Sequence, residues 1–301
     1  MAGTSHAGVT SEHLADLAAQ SGLRKVGVRP PLGTYIRETW RRRDFARYMA
    51  TSSIYAENQN TFLGQIWTIL NPALNAMVYV LIFGILLQTS RGLENFIGFI
   101  VIGTFIYRFF SDSATGGAKS IAKNLNLVRS LHFPRAVLPI SAVLAQFASL
   151  VPTVGVMVFF VLMSGIFPSV TFGGVDWEWL LLVPALVLTY LFCTGVALIL
   201  ARVMASLPDL DNVLPFVLRV LMYGSGVIFS IDHFVRDPVL SSIMQYQPVA
   251  IYLDLARQAL LAEPTIPLVG LKWAVGAAWA VGTLVVGFIF FWRAEARYGR
   301  E

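Results

Sequence analysis

Two aspartates, one residue apart, are the first place to look for chemistry in this chain. Asp209 and Asp211 in PDLDN (208–212) form an Asp-x-Asp pair, which can hold a divalent metal on a sugar nucleotide. Two carboxylates alone make a sparse site, and their loop is too short to enclose a nucleotide. Carboxylates here also suit the start of a helix, where the positive dipole end favours them. GGAKS (116–120) resembles the end of a phosphate-cradling loop. However, Ala118 stands where the glycine before the lysine is needed, and Ser113 stands where the earlier glycine is needed. His6, His13, His132 and His233 lie far apart, at no metal or triad spacing. Cys193 is the single cysteine, which excludes an intramolecular disulfide. These residues point to a chain with no cofactor, metal centre or nucleotide site of its own.

Three further ionisable groups lie inside long apolar segments. Arg108 and Asp112 are four residues apart, on one face of a helix. An ionised group at mid-membrane costs about 2.5–3.5 kcal/mol on insertion scales. The pair therefore either neutralises itself within a helix bundle or faces a wet pathway. Arg219 has Asp211 two turns before it and no acid at helical spacing after it. That spacing favours contact with water or substrate, with snorkelling to the headgroups as the alternative.

The elements that position these groups are membrane spans. Of 301 residues, 56% are hydrophobic and 13% charged, with mean hydropathy +0.67. The apolar residues come in blocks at 66–87, 97–118, 137–166, 179–204, 213–230 and 267–292. Each is near or above the roughly 20 residues that a bilayer crossing needs. An all-α integral membrane protein with six spans is expected. Sixteen of the 22 Lys and Arg residues fall before the first span, in 119–135, at Arg202 or after the last span. The positive-inside rule then places both termini in the cytoplasm. Net charge +5 and a pI near 9.5 reflect this topology rather than nucleic-acid binding.

Residues 1–31 read as a disordered cytoplasmic tail without the apolar core of a signal peptide. Residues 32–58 read as a basic amphipathic helix at the membrane surface, with Leu32, Tyr35, Ile36, Thr39 and Trp40 at helical spacing. The transmembrane domain is then 59–301. In 119–139, KSIAKNLNLVRSLHFPRAVLP, the residues Leu125, Leu127, Val128 and Leu131 make a short amphipathic helix over about 123–133, stopped by Pro134. Residues 232–263 are too polar for a clean span and too apolar for a free loop. They read as two short helices bounded by Pro238 and Pro248, dipping into the outer leaflet, with Tyr252, Leu255, Ala256, Ala259 and Leu260 on one face. No internal repeat suggests a transporter built from duplicated halves.

Two blocks carry a family resemblance. NTFLGQIWTILNPAL (60–74) follows the amphipathic RRRDFARY (41–48), and KNLNLVRSLHFPRAVLPI (123–140) separates spans two and three. Together they resemble the permease subunit of ABC-2-type exporters of lipid-linked polysaccharides, over about 33–292. The Ala/Val/Gly-rich composition and long N-terminal tail are most similar to galactan-exporting permeases of mycobacteria. One departure is AENQ at 56–59, where the family commonly has basic residues.

The resemblance implies a type V exporter fold. It also implies a homodimer working with two copies of a separate ATPase subunit that binds ATP and Mg. The cargo would be a polyprenyl-diphosphate-linked polysaccharide. It makes 123–133 a coupling helix, with Asn126, Leu127, Val128, Arg129, Leu131 and Phe133 meeting the ATPase. Spans one and five would line the substrate pathway with Tyr79, Phe83, Phe216, Arg219, Tyr223 and Phe229, joined by Arg108 from span two. Asp232, Tyr246 and Tyr252 would belong to a periplasmic gate. Two other readings stand beside it: an ABC-2 permease for drugs or small lipids, and a membrane glycosyltransferase.

Overall fold

The computed structural model describes residues 30–57, 62–64, 66–82, 93–164, 176–261 and 266–295. Among these residues all regular structure is helical. At the N-terminal side lie α1 (Leu32–Arg41) and α2 (Arg43–Glu57). The long elements are α3 (Ile66–Tyr79), α4 (Phe96–Lys123), α6 (Val137–Ser164), α7 (Leu182–Ser206) and α12 (Gly270–Arg293). Between α4 and α6 is the short α5 (Leu125–Ser130). After α7 come α8 (Leu210–Gly224), α9 (Ile231–Phe234), α10 (Pro238–Tyr246) and α11 (Pro248–Leu260).

Among the described residues four helical segments are long and apolar enough to cross a membrane: Phe96–Lys123, Val137–Ser164, Trp177–Ser206 and Gly270–Arg293. The first apolar block is helical over 66–82, with its last turn π-helical, and its remainder lies outside the described residues. The fifth block differs from expectation. Instead of running to 230, α8 stops at Gly224 after 15 residues. At 1.5 Å per residue that is about 22 Å, short of the roughly 30 Å hydrocarbon layer. The cause is local: Ser225 and Gly226 follow, and Gly226 takes a φ of +67°, which glycine adopts without a Cβ clash.

The centre of the bundle is α4, most of which is buried, packed against α6, α7, α11 and α3. Its start is fixed by Asn95, whose side-chain oxygen accepts from the Gly98 N–H at 2.8 Å. The Asn95 amide also donates to Ser164 Oγ at 2.7 Å, which pins the start of α4 to the end of α6. α7 and α12 cross closely at Gly195 and Gly287; a Cβ on Gly195 would run into the backbone of Thr283 and Leu284. On the other side α2 lies along α6.

Candidate coupling and transport sites

At one end of the bundle α4 passes into α5 through Asn124, whose amide donates to the Ser120 carbonyl at 2.8 Å. The amphipathic stretch is shorter than 123–133: only six residues are helical, and Leu131 is extended. Pro134 disfavours helix in Phe133, so the helix cannot resume before it. Val128 is buried and anchors the turn, and Leu127 is half-buried. Asn126 and Arg129 are exposed, as are Leu125 (38%) and Leu131 (52%). Phe133 turns back and meets the Phe45 ring of α2 edge-on, with centroids 5.5 Å apart. One apolar residue of α5 is thus used for anchoring, and two leucines face outward.

The segment after α5 is tied into a polar knot. Tyr35 of α1 donates its hydroxyl proton to Glu295 Oε2 at 2.7 Å and accepts from the Ala136 N–H at 3.1 Å. The Arg135 N–H donates to Glu295 Oε1 at 3.0 Å, and the Arg135 guanidinium bonds the Glu295 carbonyl. Trp292 of α12 donates to the Pro30 carbonyl at 2.9 Å. Three segments distant in sequence therefore meet at one buried carboxylate. Burial pushes the Glu295 carboxyl above its ordinary range, against the opposing pull of the Arg135 N–H, the Tyr35 hydroxyl and the Arg135 charge. Neither Tyr35 nor Glu295 was legible as a partner, because 260 residues separate them. Tyr35, one of five residues assigned to an amphipathic face, is fully buried, whereas Ile36 and Trp40 are exposed.

The pathway candidates divide into groups. α3 and α8 lie together: the Tyr79 hydroxyl points at the Met222 sulfur at 3.8 Å, and Tyr107 of α4 donates to the Leu218 carbonyl. Outward from this contact α8 presents Phe216 (66% exposed), Arg219 and Tyr223. Arg219 makes no hydrogen bond or ion pair among the described residues. Phe229 lies beyond the end of α8, edge-on to Phe234 at 5.5 Å, and so belongs with α9. Phe83 lies outside the described residues. Arg108 sits elsewhere, in a cleft between α3, α4 and α6. Its Nε is 3.2 Å from Asp112 Oδ2, and the two side chains are 37% and 41% exposed.

Residues 231–260 form three short helices rather than two. Pro238 and Pro248 each begin one, since the first helical position needs no N–H. Asp237 caps α10 by accepting from the Val239 and Leu240 N–H groups. Asp232 accepts from the Gln245 amide across this region. Tyr246 is half-buried, and its carbonyl accepts from Trp279 at 3.3 Å. Nearly all of α11 is buried, not only the face expected. Tyr252 accordingly packs on Phe192 with centroids 4.8 Å apart and donates to the Gly276 carbonyl at 2.8 Å.

The residue that sequence reasoning missed here is Arg257, within the segment read as helices dipping into the outer leaflet. It is 2% exposed. Its Nη2 donates to the Gly226 carbonyl at 3.0 Å, the Val227 carbonyl at 3.1 Å and the Phe99 carbonyl at 3.3 Å. Its guanidinium carbon lies 3.4 Å from the Phe99 ring centroid, and Asp254, itself paired with Lys272, is 3.5 Å away. The non-helical backbone after α8 thus has its carbonyls satisfied by one side chain. Gly103 makes room for it: a Cβ there would meet the guanidinium and lie 2.8 Å from the Val227 carbonyl.

The Asp-x-Asp pair has a structural role. Asp209 stands at the start of α8, and Asp211 forms a 2.6 Å ion pair with Lys119 of α4. GGAKS lies within α4, in helix rather than in a loop. Among the described residues no group of three metal-ligating side chains comes together.

The sequence pattern of the family described as ABC-2 type transporter matches residues 48–261. An O-antigen export system permease protein of Myxococcus xanthus is 27% identical over 233 residues, which is 77% of this chain and 85% of that protein. One of Klebsiella pneumoniae is 26% identical over 195 residues, covering 64% and 70%. A polysialic acid transport protein of Escherichia coli is 24% identical over 229 residues, covering 76% and 85%. With more than two thirds of its length matched by that pattern, and with helices long and apolar enough to cross a membrane, the chain belongs to the ABC-2 type transporter family.

Proposed function

We propose that this chain is the permease subunit of an ATP-driven polysaccharide exporter in the bacterial inner membrane. The cargo is an O-antigen-like or galactan-like polysaccharide carried on a polyprenyl diphosphate. Relatives named for O-antigen and polysialic acid export support a glycan over a drug or small lipid. Two copies work with two ATPase subunits, which bind ATP and Mg. The chain crosses the membrane six times, with both termini in the cytoplasm. α3 and the short α8 make the first and fifth crossings together with their neighbouring segments.

The observation that carries this reading is the construction of α5. It turns Leu125 and Leu131 outward while Val128 and the knot at Glu295 hold it to the bundle. A water-facing helix gains nothing from two exposed leucines beside Arg129, whereas an apolar docking groove on an ATPase does. Motion received at α5 reaches α1 and α12 through Arg135, Glu295 and Tyr35. It reaches α8 through α4 and the Lys119–Asp211 ion pair. On α8, Phe216 and Tyr223 offer rings to the apolar C–H faces of sugars, and Arg219 offers charge to a diphosphate. The helices of 231–260 gate the far side.

The test is Leu131→Asp in the assembled exporter. The side chain is 52% exposed, so the isolated permease keeps its stability. Burying a carboxylate in an apolar groove is costly. The ATPase therefore fails to co-purify, or hydrolyses ATP without export. Normal co-purification with normal export would rule out this role for α5.

A further inference from the structure

Two clefts on one side of the bundle share a residue. The larger, about 440 Å³, lies between α2, α4 and α6, and its rim carries the exposed Lys123, Ser52 and Ser53. The smaller, about 80 Å³, lies between α3, α4 and α6 and contains the Arg108–Asp112 pair. Gln146 of α6 lines both. Along α4 the lining positions 108, 112, 116, 120 and 123 recur every three or four residues, and so form one continuous face. From Lys123 to Arg108 this face climbs about 22 Å, at 1.5 Å per residue. The two clefts therefore adjoin along one face of α4, as a groove running from an end of the bundle to the level of its mid-span ion pair.

Self-neutralisation does not account for Arg108. A guanidinium has five N–H donors. This one meets Asp112 through Nε and has no second protein partner among the described residues. The side-chain amides of Gln146 and Asn71 and the hydroxyl of Ser149, all half-buried in the groove, likewise have no hydrogen-bond partner among the described residues. A soluble protein would leave such groups to water. In the hydrocarbon layer they need a ligand or a wet cavity, because unspent donors there are costly. The formal charge of the lining is positive by one: Arg108 and Lys123 against Asp112.

We propose that this groove binds a lipid phosphate. The head of the amphiphile enters at Lys123 and rests against Arg108, Asn71 and Gln146, while its apolar chain stays in the bilayer beside α2 and α6. Arginine suits phosphate because its planar fork offers parallel donors, and the free amides supply further ones. The assignment of the mouth to the cytoplasmic leaflet rests on the proposed function and its topology. The phosphate could come from the exporter's own lipid-linked glycan or from an anionic phospholipid.

The test uses the full chain with its ATPase partner in phosphatidylcholine vesicles. The vesicles contain either a polyprenyl diphosphate disaccharide or phosphatidylglycerol. A benzophenone side chain replaces Ser149 in the groove or Val286 on the exposed face of α12. The groove position should label the anionic amphiphile well above the Val286 position. Labelling should fall about tenfold in a variant combining Arg108→Gln, Asp112→Asn and Lys123→Gln, which removes the charges without stranding one. Labelling of the polyprenyl compound alone identifies the cargo as the ligand, and equal labelling of phosphatidylglycerol identifies a resident lipid. Yields equal at the two positions, or unchanged in the neutral variant, overturn the site. Failure of the export reading is seen separately, as absence of ATP-dependent glycan movement in the same vesicles while groove labelling persists.

Discussion

Replacing Arg257 is the sharpest perturbation the fold offers. Its Nη2 satisfies the carbonyls of Gly226 and Val227, which lie beyond the end of α8 and have no helical partner. Arg257→Met keeps much of the side-chain volume and removes every donor. Each buried carbonyl left without a partner costs about 1–3 kcal/mol. Loss of the contact with the Phe99 ring, 3.4 Å from the guanidinium carbon, adds up to about 2 kcal/mol. Asp254 is not orphaned, because Lys272 remains 2.8 Å from it. The expected loss is about 4 kcal/mol, large against the 5–15 kcal/mol that typically holds a domain together. Arg257→Lys keeps the charge, but one ammonium cannot reach carbonyls on both α4 and the 226–227 turn, so it falls between parent and methionine. The assay is the thermal midpoint and monodispersity of the detergent-purified chain. A midpoint for Arg257→Met indistinguishable from the parent would refute the reasoning that this side chain holds the break.

Two further outcomes follow from named contacts. Gly195→Ala puts a Cβ into the backbone of Thr283 and Leu284, so α7 and α12 must separate, and the thermal midpoint should drop well below that of Gly282→Ala, where the added Cβ meets nothing within 4 Å. Glu295 gives a pH signature: its folded carboxyl holds a proton to higher pH than the unfolded chain does, chiefly because it is buried against Tyr35 and Arg135. Its contribution therefore falls as pH rises from the ordinary carboxyl range through the raised folded value, and is flat above. Glu295→Gln should flatten that slope in unfolding midpoints measured across pH; an unaltered slope would show that Glu295 is not its source.

Much of the architecture is carried by local signals. The apolar blocks mark the long helices because a bilayer crossing is a matter of length and composition. Pro238 and Pro248 mark helix starts because proline costs nothing at the first turn. The break after α8 also has a local signal, the Gly224-Ser225-Gly226 triplet, which hydropathy averaging conceals. The sites were less legible. Arg257 in the sequence is one more cation near an outward segment, and its partners lie 30, 31 and 158 residues away. The partnership of Tyr35 with Glu295 depends on α1 and the end of α12 meeting beside Arg135, which no spacing encodes. Arg108 and Asp112 were visible as a pair. That Gln146, Asn71 and Ser149 share their cleft depends on how α3, α4 and α6 pack.

The central claim is that this chain, with an ATPase, moves a lipid-linked glycan across a membrane. The direct measurement is reconstitution of the chain with its partner ATPase in vesicles loaded with a polyprenyl-diphosphate glycan. Glycan reaching the opposite leaflet is followed by its accessibility to a membrane-impermeant glycosidase. The account predicts that accessibility appears only when both chains and ATP are present, and that Leu131→Asp abolishes it. Glycan that stays on the loading side while the complex turns over ATP, or sugar transfer by the isolated chain, would contradict it.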